Sequence, residues 1–428
     1  MNGRKSGTDS KTTTPQMVAW ALYDWANSAF PTVIQTFVFA AYFTRQIAVN
    51  ETVGSNQWGN TISIAGLFIA VLGPILGSIA DQGKRRKPWI AVFTVMCVIA
   101  TALLWFIEPS NSFLIPALIL VAIGTVSSEF AFIFYNAMLP DLVANKRMGR
   151  WSGWGWGLGY AGGLSCLIVS LFVFVQADPP PFGLDASAAE HVRATYILVA
   201  GWYLLFAIPL FVWTPDVKGT GMSIRRSIRE GLAQLKRSLA NVRRYRNIVR
   251  FLIARMFYMD GLATIFSFGG IYAAGTFDMS EEQVIMFGIA LNVMAGLGAV
   301  LFAWMDDRKG SRYTILVSLV GLSIPTLLIL LVTSEQWFWI LGILLGIFVG
   351  PVQAASRTFM GRLAPDNMRN EMFGLFALSG KITTFLGPLM VGWLTYFADS
   401  QRVGMSVIVL FLILGLGLLV TVKDADSD

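Results

Sequence analysis

LFAWMDDRKGSR (301–312) decides how this chain is read. Apolar sequence flanks it on both sides, and its charges crowd into a turn: Asp307, Arg308, Lys309, Gly310, Ser311, Arg312. A related turn, Asp81-Gln82-Gly83-Lys84-Arg85-Arg86, follows the second apolar run of the chain. Two further marks recur in the same order. Tyr23-Asp24 with Phe30 is matched by Tyr258-Met259-Asp260 with Phe266, and Leu139-Pro140-Asp141 by Leu363-Ala364-Pro365-Asp366. Three marks repeated at corresponding runs predict two halves related by an axis along a membrane normal.

Twelve apolar runs carry these marks, at 17–44, 59–80, 88–107, 113–138, 153–176, 194–213, 247–275, 283–305, 313–333, 337–359, 372–397 and 403–422. Each is near the ~20 residues that a helix needs to cross a bilayer core. They are continuous rather than alternating, and far longer than the ~10 residues of a barrel strand. Of the 428 residues only 13% are charged and 55% are hydrophobic, against roughly 25% charged in soluble domains. That balance excludes a soluble enzyme, a disordered chain and a disulfide-built secreted protein. Cys97 and Cys166 both sit inside apolar runs, and one histidine, His191, cannot supply a histidine-rich metal site. The fold class is therefore an all-α polytopic membrane protein with twelve transmembrane helices in two six-helix, pseudo-symmetric bundles. Its expected parts are a tail at 1–16, an N-terminal bundle at 17–213, a linker at 214–246, a C-terminal bundle at 247–422 and a tail at 423–428.

Lysine and arginine set the orientation. Of the 32, almost all fall in alternate loops, the linker and the tails, whereas the intervening loops hold only Arg45, Arg193 and Arg402. Both termini are predicted to be cytoplasmic, in a cell (inner) membrane. The same placement explains the net charge of +7 without nucleic acid. Within the linker, Ile224, Ile228, Leu232, Leu235, Leu239 and Val242 share one helical face, with Arg225, Arg226, Arg229, Lys236 and Arg237 off it. This pattern predicts an amphipathic helix on the inner leaflet. A monomer in contact with membrane lipids, with no cofactor and no metal, is expected.

Asp-Arg-x-Gly-x-Arg after the second helix of each half resembles the major facilitator superfamily. The second copy keeps Asp307, Arg308, Gly310 and Arg312, with Ala303 at the usual leading glycine. The first keeps Gly77 and Asp81, has Gln82 for the arginine and is one residue short before Gly83. WALYDWANSAF (20–30), YNAMLPDL (135–142), GLGYAGG (157–163), FYMDGLATIF (257–266), SRTFMGRLAPD (356–366) and SGKITTFLGP (379–388) together resemble the vacuole effluxer family within that superfamily. The resemblance implies the major facilitator fold and transport. It also implies a gate at the two loops, built from Asp81, Arg85, Asp307, Arg308 and Arg312, and a cavity lined by helices 1, 4, 7 and 10.

A charge at the centre of a spanning helix costs about 2.5–3.5 kcal/mol on insertion scales. Asp24, Glu129, Arg255, Asp260 and Lys381 lie deep in the runs, and Arg357 lies near an inner end. At about 100° per residue, Asp24, Asn27, Ser28, Pro31 and Gln35 share a stripe, as do Thr125, Glu129 and Asn136, and Gln353 and Arg357. Arg255 stands ~140° from Asp260, so both cannot enter one cavity from a straight helix. On the functional reading, Asp24, Glu129 and Asp260 exchange protons, while Asn27, Gln35, Asn136, Arg255, Gln353, Arg357 and Lys381 bind solute. On the other, the charges are buried ion pairs that fix helix packing, and the amides bond between helices.

Gly155, Gly159 and Gly163 form one four-residue ladder and Gly153 and Gly157 another, which lets backbones approach closely. Trp151, Trp154 and Trp156 read as interface anchors. No GxxxxGK[ST], HExxH, CxxC or Gly-x-Ser-x-Gly is present, which disfavours an ATP-driven pump and an enzyme. A secondary transporter of a small-molecule solute remains, with amino-acid export and proton coupling as its narrower forms. A facilitative uniporter and, behind it, a membrane-embedded lipid-modifying enzyme are the alternatives. Cysteines engineered into 180–190 should react with an impermeant maleimide added outside intact cells. Reaction only from the cytoplasmic side would reverse the orientation.

Overall fold

The computed structural model describes residues 12–240 and 242–424, and every regular element among them is helical. Spanning helix α1 starts as Thr14–Asn27 and continues through Phe30–Phe37, Val38–Tyr42 and Phe43–Ile47. It is followed by α2 (Glu51–Gly83), α3 (Lys87–Leu103), α4 (Leu114–Leu142), α5 (Met148–Val169, extended by Ser170–Val175) and α6 (Glu190–Trp213). A linker helix, Ile224–Ala240, leads to α7 (Arg246–Phe277), α8 (Glu281–Lys309), α9 (Ser311–Leu331) and α10 (Glu335–Leu363). Then come α11, in two pieces (Arg369–Ser379 and Leu386–Ala398), and α12 (Gln401–Val420). Among the described residues, ten stretches are long and apolar enough to cross a membrane. The two that fall short are the interrupted helices, α1 and α11.

Both interruptions have local causes. Pro31 has no N–H to give to the turn before it, and the backbone from Phe30 to Phe37 widens into a π-helix. In α11 the run Gly380–Phe385 joins glycine to β-branched Ile382, Thr383 and Thr384, ahead of Gly387-Pro388. Those residues are weak helix formers, and three-residue turns such as Leu386 N–H to Thr383 O, 2.7 Å, replace helical bonds. Two other starts carry side-chain caps. The Asn50 side chain accepts from Val53 N–H at the head of α2, and Ser280 with Gln283 forms a capping box on α8.

Helices α1–α6 and α7–α12 form two bundles, joined chiefly by α2 against α11 and α5 against α8. Small residues make these approaches possible. A Cβ on Gly77 would collide with the Asn370 carbonyl, and one on Gly374 with the backbone of Gly73. On α5 the two glycine ladders face different partners. Gly155, Gly159 and Gly163 seat Asp24, Ser28 and Thr32 of α1, while Gly153 and Gly157 seat Ala299, Ala303 and Val300 of α8. These cross-bundle contacts occupy the end of the molecule at which the linker helix lies, called here the linker side. The tryptophans expected as lipid anchors serve the same seam: Trp151 is buried against Trp154, and Trp154 meets Trp304 of α8 edge-on.

The linker helix packs one face on the bundles. Its packed face is Ser227, Gly231 and Leu235, with Gly231 set against the Ser78–Ile79 backbone of α2. Of the expected apolar stripe, Leu235 turns to the protein, whereas Ile224, Ile228 and Leu232 stay exposed beside the arginines. The side chains of Leu239 and Val242 lie outside the described set. Gln234 accepts from Gln82 Nε2 (2.7 Å) and donates to Glu371 Oε2 (2.8 Å), so the helix ties α2 of one bundle to α11 of the other.

If Gly77 sets the closest approach, Gly77→Val should destabilise the closed linker side without unfolding either bundle. A cysteine at Trp156, inside the seal, should then react about tenfold faster with thiol reagents from the linker side, the response to a shift of about 1.4 kcal/mol. An unchanged labelling rate would show that this contact does not hold the closed form.

Candidate functional site

The functional side chains lie in three tiers, rising from the linker side. The lowest is a latch at helix ends. Asp81, two residues from the end of α2, accepts from Asn370 N–H (3.0 Å), Asn370 Nδ2 (2.8 Å) and Glu371 N–H (2.9 Å). These backbone donors belong to the first turn of α11, which has no intrahelical acceptors, so Asp81 caps a helix of the opposite bundle and meets its positive dipole end. The pseudo-symmetric place repeats the device. Asp307, near the end of α8, accepts from Arg150 N–H (3.1 Å) in the first turn of α5, with Arg150 Nε at 3.4 Å. Arg86 adds a bond from Nε to Asn370 Oδ1 (3.0 Å) and an ion pair with Asp141, which also pairs with Arg369 across the seam.

The second tier is sealed. Arg357 of α10 places Nη1 3.0 Å from Asp24 Oδ2 of α1, and the two side chains are only 1% and 4% exposed. Tyr135 O–H donates to the same carboxylate oxygen at 2.8 Å. The guanidinium also donates to Asn136 Oδ1 (3.2 Å), Ser152 Oγ (2.9 Å) and Ser152 O (2.6 Å). Trp20, Tyr135 and Trp156 surround it, with ring centres 5.2, 5.8 and 5.7 Å from its carbon. Four helices, α1, α4, α5 and α10, thus converge on one cation. Gly155 makes the space, since a Cβ there would strike both Asp24 and Arg357.

The third tier is a cavity of about 320 Å3 above the seal, in which charged and amide side chains are set among apolar walls. Glu129 of α4 and Lys381 of α11 meet across it at 2.6 Å and remain 29% and 34% exposed. Arg255 lines the same cavity, lies 3.5 Å from the centre of the Phe376 ring and donates to Phe376 O and Ser379 Oγ (2.8 Å). Gln35 donates to Thr125 (2.7 Å), Asn27 to Tyr203 (2.7 Å) and Ser128 (3.1 Å), and Gln353 to Tyr160 across the seam (2.9 Å). Glu129 and Lys381 are counter-ions of each other, Arg255 is held by neutral acceptors and a ring, and the amides have partners in place.

A model of the vacuole effluxer Atg22-like family matches residues 60–427. The chain belongs to that family. An uncharacterized MFS-type transporter of Bacillus subtilis, YxiO, is 28% identical over 97% of this chain and 96% of its own length. Autophagy-related protein 22-1 of Phaeosphaeria nodorum is 25% identical over 83% of this chain and 74% of its own. Among solved structures, the major facilitator proton:xylose symporter XylE shares the fold at a TM-score of 0.74 and 12% identity, covering 97% of both chains. The protein is an integral membrane transporter of the major facilitator superfamily, and its family is one of transporters rather than enzymes.

Within this effluxer-family fold, Asp24, Asn27, Gln35, Glu129, Asn136, Arg255, Gln353, Arg357 and Lys381 all line the one cavity. Asp260 does not: it is buried against Thr383 in the break of α11, on the side of α7 away from the cavity. Part of the expected gate is also reassigned. Arg85 is exposed and its neighbour Arg86 makes the latch, because the shorter first loop turns residue 86 inward at the head of α3. Arg308 is exposed, and Arg312 donates to Val420 O within its own bundle, so Asp307 acts through Arg150 instead. The sequence reading missed Tyr135, Ser152 and Trp156 around Arg357. Tyr135 adjoins Asn136, and the other two interleave with the α5 glycines, which was the available signal.

Asp24→Asn leaves a buried guanidinium without its counter-ion and should destabilise the protein by about 3–5 kcal/mol, read as a large fall in melting temperature in detergent. Asp24→Asn with Arg357→Gln removes both charges and should recover most of it. A double variant no more stable than the single one would show that packing, not charge pairing, fixes this tier.

Proposed function

We propose that this protein moves a small zwitterionic solute, with amino acids the leading class, by alternating access between its two bundles. The observation that carries this is the Glu129–Lys381 pair. It joins opposite bundles across the cavity, and about a third of each side chain is exposed, whereas the Asp24–Arg357 pair is buried. A solute carrying both an ammonium and a carboxylate can replace each partner with its own complementary charge. The ammonium takes Glu129, and the carboxylate takes Lys381 with Arg255 alongside. A zwitterion therefore leaves no unpaired charge in the cavity, whereas a neutral solute gains nothing from parting the pair.

The latch and the Asp24–Arg357 tier are the elements that must part for the linker side to open. Buried pairs suit this, because desolvation offsets much of their attraction, and water entering an opened cleft restores the hydration they lost. We take the linker side and both termini as cytoplasmic on the charge bias, and export, in a cell membrane, as the direction. The family description of vacuole effluxers supports that direction. Asp24 and Glu129 each stand against a cation of the opposite bundle. This supports solute binding and gating for them over the proton-exchange role.

Counterflow in proteoliposomes tests the reading. Radiolabelled neutral amino acids should exchange, and Glu129→Gln or Lys381→Gln should each lower that exchange by at least about tenfold, the equivalent of one lost charged contact of about 1.4 kcal/mol. Exchange of an uncharged sugar alone, or full amino-acid exchange in both variants, would sink the proposal.

A further inference from the structure

Five charged side chains line the cavity, and they do not balance: Arg255, Arg357 and Lys381 stand against Asp24 and Glu129. Arg357 is taken up by Asp24 in the sealed tier, and Glu129 meets Lys381. Arg255 is the surplus cation. Among the described residues it is in no ion pair, and it is 8% exposed. Asp260 follows it on α7 but is buried on the far side of that helix, against Thr383.

The bonds of Arg255 account for its position but not for its charge. Nη1 donates to the Phe376 carbonyl and to Ser379 Oγ (2.8 Å), in the last turn of the first piece of α11. Both acceptors are neutral, a helix end supplies at most about half a charge, and Nε has no acceptor. Gly380 leaves room for the guanidinium, since a Cβ there would come within 2.7 Å of Nη1. Lys381 is the next residue. The break in α11 therefore sets two cations on the wall of the C-terminal bundle, and Glu129 of α4 stands on the opposite wall. Two positive groups and one negative are the complement of a solute with two carboxylates and one ammonium. A neutral amino acid must divide its single carboxylate between Lys381 and Arg255, and the cavity keeps one positive charge in excess. In a partly dehydrated site that excess is costly. A second carboxylate removes it, whereas a basic side chain adds to it.

We propose that Arg255 determines specificity by taking a second, side-chain carboxylate, so that acidic amino acids are the preferred class. This rests on the transport reading above and narrows it: neutral amino acids are accepted, acidic ones bind better and basic ones are refused.

Competition in the counterflow assay, near neutral pH, tests this with isosteric pairs on the unaltered protein. Glutamate and aspartate should half-inhibit exchange of a labelled neutral amino acid at about tenfold lower concentration than glutamine and asparagine, the gain expected of one charge-assisted contact. Lysine should not compete. Arg255→Gln should erase the difference within each pair, and Arg255→Lys should restore part of it; a residue that merely holds α11 in place would weaken all four competitors together. Equal potency within the pairs, or a preference that survives Arg255→Gln, would overturn the assignment and leave the transport reading standing. If no amino acid exchanges but succinate does, and Arg255→Gln abolishes that exchange, the zwitterion reading falls and the two-cation wall stands. If succinate fails as well, both fall.

Discussion

The ion pair between Asp24 and Arg357 is the contact on which the rest of the arrangement depends. It joins α1 of one bundle to α10 of the other where water is excluded, and a guanidinium there is tolerable only with its full complement of acceptors. Asp24, Asn136, Ser152 Oγ and the Ser152 carbonyl supply them, and three aromatic rings close around the remainder. Each requirement fixes a neighbour: glycine at position 155, small residues along α5, and Tyr135 oriented to donate to the carboxylate.

Helix α5 carries the mechanical consequence. One glycine ladder binds it within its own bundle and the other lays it against α8, so the same element serves rigid packing and a contact that has to separate. A seam of small residues suits that double use. Such surfaces slide and part without dragging large side chains out of interlocked positions, and in a membrane they are not held together by the hydrophobic effect. The helix-end caps made by Asp81 and Asp307 add direction. Each bonds main-chain donors that exist only at the first turn of a helix, so the closed form is specified at one register.

Above the seal the cavity keeps one matched pair, Glu129 with Lys381, with partial access. On the function proposed above, a pair on opposite walls would yield to a ligand that supplies both charges, which would couple recognition to bringing the bundles together.

Much of this was legible in the sequence. Twelve runs, three repeated marks and a bias in lysine and arginine determine a two-fold bundle, because hydrocarbon imposes length and apolarity on every span and leaves little freedom elsewhere. The same constraint makes intramembrane charge conspicuous, so Asp24, Glu129, Arg255, Arg357 and Lys381 stood out; helical periodicity gave the stripes of Asp24, Glu129 and Arg357, and the resemblance to the superfamily implied the cavity they share. Pairing was not legible. Asp24 and Arg357 are separated by 333 positions, and which acid meets which base depends on how the two bundles are rotated against each other. The break in α11 was hidden too, since its residues are apolar enough to pass for helix, and it is that break that sets Asp260 against Thr383. The exchange of Arg85 for Arg86 at the gate has a similar origin: a loop one residue shorter rotates the next helix by about 100°, and only the tertiary contacts decide which arginine then faces the seam.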